Sequence, residues 1–163
     1  VEIPAKVDYA VRAMAELAAR PGAGPVKAEF LAESQDIPEH FLKAILRELG
    51  RGGLVIAQRG ANGGYRLARP AAEITVADVV RAVHGPLATV RGERPENLEY
   101  TGAAEHLAEV WVVLRASMRS VLEHVTIEQL VDNELAENLA SFSADPDAWR
   151  SGHTRGLDAA DGS

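Results

Sequence analysis

The chain has 163 residues, no cysteine and a formal net charge of −7. The missing cysteines exclude disulfides, thiolate catalysis and thiolate-ligated zinc or iron–sulfur sites. No apolar run reaches the ~18 residues that a membrane helix needs. The opening residues Val1 to Lys6 lack a signal-peptide pattern, so a cytosolic location is expected. The acidity is uneven: residues 1–85 carry eleven basic and ten acidic side chains, whereas 86–163 carry six and fourteen. Within 38–70 the basic residues Lys43, Arg47, Arg51, Arg59, Arg66 and Arg69 face only Glu39 and Glu48. Because screening limits each charge's reach to roughly 10 Å, a basic patch on an acidic chain can still track phosphates.

In chain order, Val7, Ala10, Val11, Met14, Leu17 and Ala18 recur at helical spacing, predicting a helix from about Ala5 to Arg20 that Pro21-Gly22 stops. A second helix is expected from Lys27 to Ser34. Gln35-Asp36-Ile37 forms a tight link, and a third helix begins at Pro38, a residue that loses nothing at a first helical position. The third helix runs to Arg51, with Phe41, Leu42, Ile45, Leu46 and Leu49 read as its buried stripe. Two strands follow, 54–59 and 65–68. Between them an Asn62-Gly63 pair signals a hairpin, since both residues tolerate positive φ. This order of helix, helix, tight link, helix and hairpin is that of a winged helix-turn-helix.

Thr75 with Asp78 reads as a capping-box variant opening a short helix that Gly85-Pro86 closes. Residues 87–101 are polar and irregular, a loop of unusual length. The longest helix is expected from Ala103 to His124, with Leu107, Val110, Trp111, Leu114, Met118, Val121 and Leu122 as a wide apolar stripe. Thr126 and Gln129 make a second capping box, starting a helix that carries Ile127, Leu130, Val131, Leu135 and Leu139. From Ser143 periodicity ends, and a disordered tail is expected. The fold class is therefore mainly α with a small β-hairpin.

In a helix-turn-helix the second helix enters the major groove with its N-terminal side chains at the base edges. Those side chains are Glu39, His40 and Lys43. Lys43 can donate to guanine and Glu39 can accept from cytosine, while Lys27, Arg47 and Arg51 suit phosphates. An ordinary helical hairpin with a solvated face would show the same segment. The wing tips the balance. Arg59, Asn62, Gly63, Gly64, Tyr65 and Arg66 form a narrow basic hairpin suited to the minor groove, where glycines admit the backbone and arginine meets a negative potential.

These residues carry a resemblance. Lys6 to Met14, Phe41-Leu42 with Ile45-Leu46 and Leu49, Gly53-Leu54-Val55, the wing from Arg59 to Pro70, and Ile74 to Pro86 are similar to the Rrf2 family of bacterial regulators. The resemblance covers residues 3–86 closely and continues more loosely to about Leu139. It implies a winged helix-turn-helix head over 1–86, a loop over 87–101, dimerisation helices over 102–142 and a tail over 143–163. It also implies a homodimer on a palindromic double-stranded DNA operator, with Leu107, Val110, Trp111, Leu114, Met118 and Val121 pairing across the two-fold. Many relatives hold an iron–sulfur cluster on three cysteines in the loop before the long helix, and Asp8 matches an acidic position that can complete it. Here that loop has no cysteine, so no such cofactor is expected. Where some relatives place glutamate in the recognition helix, this chain has Lys43.

Two other classes fit the residues less well. Glu105/Glu109 and Asp132/Glu134 look like solvated helix faces, and no catalytic elbow, phosphate loop or dinucleotide fingerprint is present, so an enzyme is not expected. An interaction module that has lost DNA would not need Lys43, Arg47, Arg51, Arg59 and Arg66 together. His40, His84, His106, His124 and His153 show no metal-ligand spacing. His84 fits a helix C-terminus, where the dipole favours it. Three sources of regulation stay open: a small ligand between the head and the long helix, a thiol-free metal or redox signal, or no effector. The length of loop 87–101 favours the small ligand.

Overall fold

The computed structural model describes residues 2–135 and 137–150; of these, the side chains of 137 and 138 are left aside. Helices α1 (Ala5–Ala18), α2 (Ala28–Gln35) and α3 (Glu39–Arg51) lead into strands β1 (Val55–Gln58) and β2 (Gly64–Leu67). Then come α4 (Val76–Val83), α5 (Leu107–Leu122), α6 (Ile127–Asp132) and α7 (Glu137–Ser143). The expected order of head elements is present, with ends shifted by one or two residues. The expected third helix begins one residue later, with Pro38 at its N-cap.

Helix α1 is the hub of the core. Val7, Ala10, Ala13, Met14 and Leu17 lie on one face and are buried, and the alanines let α3 and α4 approach closely. Leu42, Ile45, Leu46 and Leu49 of α3 and Ala77, Val79, Val80 and Val83 of α4 complete this core, with Leu31 and Ile74. The approach of α3 to α4 is tight enough that a Cβ on Gly52 would sit 2.8 Å from that of Ala82. Both capping boxes form: the Thr75 hydroxyl accepts from Asp78 N–H, and that of Thr126 accepts from Gln129 N–H.

Beyond the head the structure departs from expectation in three places. First, α5 starts at Leu107, not Ala103. A separate 3₁₀ turn spans Gly102–Ala104, with Gly102 at φ +64°. Second, the single helix expected after Thr126 is two helices, because Asn133 takes the left-handed conformation (φ 57°) and ends α6. Asparagine adopts that conformation more readily than most residues. Third, residues up to 150 are ordered into structure: α7 runs to Ser143, a 3₁₀ turn follows over Pro146–Trp149, and the Trp149 indole donates to the Ser143 carbonyl at 2.7 Å. The rest of the expected tail, 151–163, lies outside the described residues. The segment after α5 also returns to the head. Val76 N–H donates to Val125 O, Ile127 N–H donates to Ile74 O, and Ile127 is fully buried in the head core.

Candidate nucleic-acid interface

The link between α2 and α3 is three residues long. Asp36 turns it with φ 50°, and Ile37 plugs into the core while its N–H donates to Ala32 O at 2.9 Å. From the end of this link α3 presents its first turn outward. One face is filled by Leu42, Ile45, Leu46 and Leu49, and the opposite face carries exposed His40, Arg47 and Arg51. Phe41 does not belong to the buried stripe. At about 100° per residue it falls beside the stripe rather than in it, and it is 53% exposed with its ring centroid 4.2 Å from that of His40. This exposed aromatic in the first turn of α3 joins the candidate interface, and sequence reasoning had placed it in the core. Helical-wheel spacing was the signal that could have found it.

The wing is pinned to the helix-turn-helix. β1 and β2 pair antiparallel, with Val55 opposite Leu67 and Gln58 opposite Gly64. Val26 and Tyr65 then exchange both backbone hydrogen bonds at 2.8 Å, which sets Lys27, at the start of α2, beside the wing root. The turn is not the two-residue Asn-Gly type. Asn62 and Gly63 keep negative or extended φ, the loop is 59–63, and positive φ falls at Gly60 and Gly64. Glycine is still required at 63 and 64, for lack of room. A Cβ on Gly63 would lie 2.1 Å from Gln58 O, and one on Gly64 would lie 2.5 Å from Val26 O.

Charge on this face falls into two groups. Lys27, Arg47, Arg51, Arg59 and Arg66 are exposed and make no ion pair among the described residues. Lys43 and Glu39, expected to read bases separately, are instead paired with each other, and Lys43 also lies 3.7 Å from Glu29. The hydrogen bond and charge of Glu39 raise the Lys43 pKa above its ordinary value. Glu29 is held below the ordinary carboxylate value, chiefly by a backbone hydrogen bond and then by Lys43 and Lys27. An unpaired cation can take an anionic partner without first giving up a carboxylate, whereas Lys43 would first have to release Glu39.

Helix α5 lies at the margin of the head's core: Leu122 packs against that core, but none of the α5 residues is buried in the single chain. Its stripe divides. Trp111, Leu114, Met118 and Leu122 face a cleft against α1 and α4, while Val110 (55% exposed), Val113 (64%) and Val121 (41%) face outward. Leu107 is half-buried at the helix start.

The family model described as an iron-dependent transcriptional regulator, Rrf2, matches residues 3–133. The chain belongs to the Rrf2 family. An HTH-type transcriptional regulator of Mycobacterium tuberculosis (strain CDC 1551 / Oshkosh) is 46% identical over 145 residues, 89% of this chain and 90% of that protein. The HTH-type transcriptional regulator CymR of Bacillus subtilis is 34% identical over 130 residues, 80% of this chain and 89% of that one. Among solved structures, CymR, described as the global cysteine regulator of B. subtilis, superposes with a TM-score of 0.69 at 33% identity, covering 82% of this chain and 98% of that chain. T. potens IscR gives 0.66 at 30% identity, covering 86% and 96%. The head of this Rrf2 regulator is thus a winged helix-turn-helix.

The donor set of this Rrf2 chain does not fit a thiolate-held iron–sulfur cluster. There is no cysteine, and Asp8 is engaged by Arg12 at 2.9 Å. Arg12 in turn donates to Gln35 O at 2.6 Å, tying α1 to the end of α2. Among the described residues no three His, Cys, Asp or Glu side chains converge. His106 lies 3.6 Å from Glu109 with both exposed, and His84 occupies the C-cap of α4. No helix among the described residues is long and apolar enough to cross a membrane.

Proposed function

We propose that this regulator binds a palindromic operator as a non-catalytic homodimer, with α3 in the major groove and the wing in the flanking minor groove. The observation that carries the reading is that the cations of the helix-turn-helix and the wing are exposed and unpaired among the described residues. Lys27, Arg47 and Arg51 surround the helix-turn-helix, and Arg59 and Arg66 flank the wing. Phosphate contacts of this kind supply most of the sequence-independent affinity. His40, Phe41, Lys43 and Glu39 stand on the first turn of α3, where base edges are read.

Dimerisation is supported by the outward stripe of α5. Val110, Val113 and Val121 on a helix with no buried residue would be an unusual apolar surface on a monomer. Two copies related by a two-fold would place their recognition helices about one helical turn of DNA apart, roughly 34 Å. The effector is a small ligand rather than an iron–sulfur cluster: the absence of cysteine speaks against the cluster, and the length of loop 87–101 favours the ligand.

Selection of bound duplexes from a random-sequence pool by the purified protein tests this. The expected recovered sequences are inverted repeats with half-sites one turn apart. Recovery of single, unpaired half-sites would contradict the dimer, and no enrichment at all would contradict DNA recognition.

A further inference from the structure

We propose that Phe41 is a specificity-determining residue of the DNA interface: its exposed ring reads the 5-methyl group of a thymine in the major groove, so that each half-site of the operator carries a required T·A pair. The inference rests on the reading of α3 as the recognition helix and adds the base that its first turn selects.

An exposed phenylalanine calls for no partner by itself, since scattered apolar side chains are ordinary at a protein surface. Three observations set this one apart. The first is its place. Phe41 is the third residue of α3, directly after the tight link from α2, and it is 53% exposed. In a helix-turn-helix that end of the second helix enters the major groove. The second is its company. The same helix-turn-helix carries Lys27, Arg47 and Arg51, exposed and without an ion pair among the described residues, so the charge around the ring suits a polyanion. The third is what the rest of the turn leaves free. Glu39 and Lys43 are engaged with each other. At about 100° per residue they lie on the flank of α3 away from Phe41, with His40 between the two flanks. The His40 ring leans on Phe41 at an interplanar angle of 38°, centroids 4.2 Å apart, and so limits where the phenyl ring can turn.

A phenyl ring makes no conventional hydrogen bond to a phosphate or a base edge. What the major groove offers it is the thymine methyl, an apolar group that only the A·T and T·A pairs display there. Bringing ring and methyl together removes apolar surface of both from water, the transfer that also drives core packing. At the free energy of one buried carbon the contact is worth roughly fourfold in affinity per half-site. The cations on the helix-turn-helix bind any sequence, because phosphates are the same everywhere. Phe41 adds a contact that only some sequences can return.

Deoxyuridine isolates this contact. It pairs as thymidine does and lacks only the 5-methyl group, so the minor-groove edge that the wing would meet is unchanged. In a duplex recovered by selection with the full chain, each thymine of the half-sites is replaced in turn by dU, in both half-sites at once. At one thymine position the wild-type protein should bind about fifteenfold more weakly, the fourfold effect compounded over two half-sites. In Phe41→Ala the dT and dU duplexes should bind alike at that position. The first arm uses the unaltered protein, so it decides even where the variant fails to fold. Selected half-sites without a fixed thymine, or wild-type affinity indifferent to dU at every position, overturn the proposal. A dU penalty of the same size in Phe41→Ala also overturns it, by assigning the methyl to another side chain. Wild-type protein that enriches no duplex contradicts DNA recognition itself and takes the proposal with it, a failure distinct from enrichment without a methyl dependence.

Discussion

Phe41 separates a packing role from a reading role at a single position. A phenylalanine in the buried stripe of α3 would cost about 3–5 kcal/mol when cut to alanine. At 53% exposure, with its ring tilted against that of the neighbouring His40, Phe41→Ala should cost about 1 kcal/mol or less in urea unfolding. Its effect should appear instead in affinity for selected duplexes, because an apolar ring beside base edges favours the thymine methyl. A loss of several-fold in binding at nearly unchanged stability is expected. The reverse pattern would return Phe41 to the core. Lys43 carries the companion lesson. Its place on the first turns of α3 was legible, but its pairing with Glu39 was not, because one-turn spacing on a helix allows an ion pair as readily as two independent contacts.

At the scale of elements, local chemistry was legible and long-range packing was not. Thr75 and Thr126 were readable as caps because the capping hydrogen bonds span only three residues. The start of α5 was not, since nothing at Ala103 caps a helix and Gly102 favours a turn. The break at Asn133 was hidden because Leu135 and Leu139 continue the apolar spacing across it.

One link between elements that sequence did not suggest joins α4 to α5. Glu123 accepts from Arg119 at 3.0 Å and pairs with Arg81 of α4. These two arginines, Arg119 first, hold the Glu123 pKa below its ordinary 4.5. A depressed folded-state pKa contributes stability that is full above 4.5 and is lost as pH falls through the folded value. Glu123→Gln should therefore lower the urea midpoint at neutral pH, and the difference from wild type should vanish well below pH 4.5. A difference that persists in acid would show that shape rather than charge holds this contact.

For the whole molecule, the winged helix-turn-helix was legible because its parts follow one another in sequence and each has its own periodicity. For α5 the sequence offered only a stripe too wide for one contact. The structure divides that stripe into a cleft side and an outward side, a distinction that depends on where the head sits. Val113 is 64% exposed, so Val113→Glu should leave the folded chain intact and, by placing a charge in the pairing face, shift it from dimer to monomer in light scattering. An unchanged mass would place the two-fold elsewhere.

DNA binding by this face is probed most sharply through the salt dependence of affinity for a selected duplex. Removing one phosphate interaction should reduce the slope of log affinity against log salt by about 0.9. Arg59→Ala with Arg66→Ala takes two cations per chain from the wing. The predicted result is collapse of affinity at physiological salt, with residual low-salt binding that has a distinctly shallower slope. Affinity and slope equal to those of the wild type would contradict a wing that holds DNA, and with it the assignment of the free cations on this face to the DNA-binding surface.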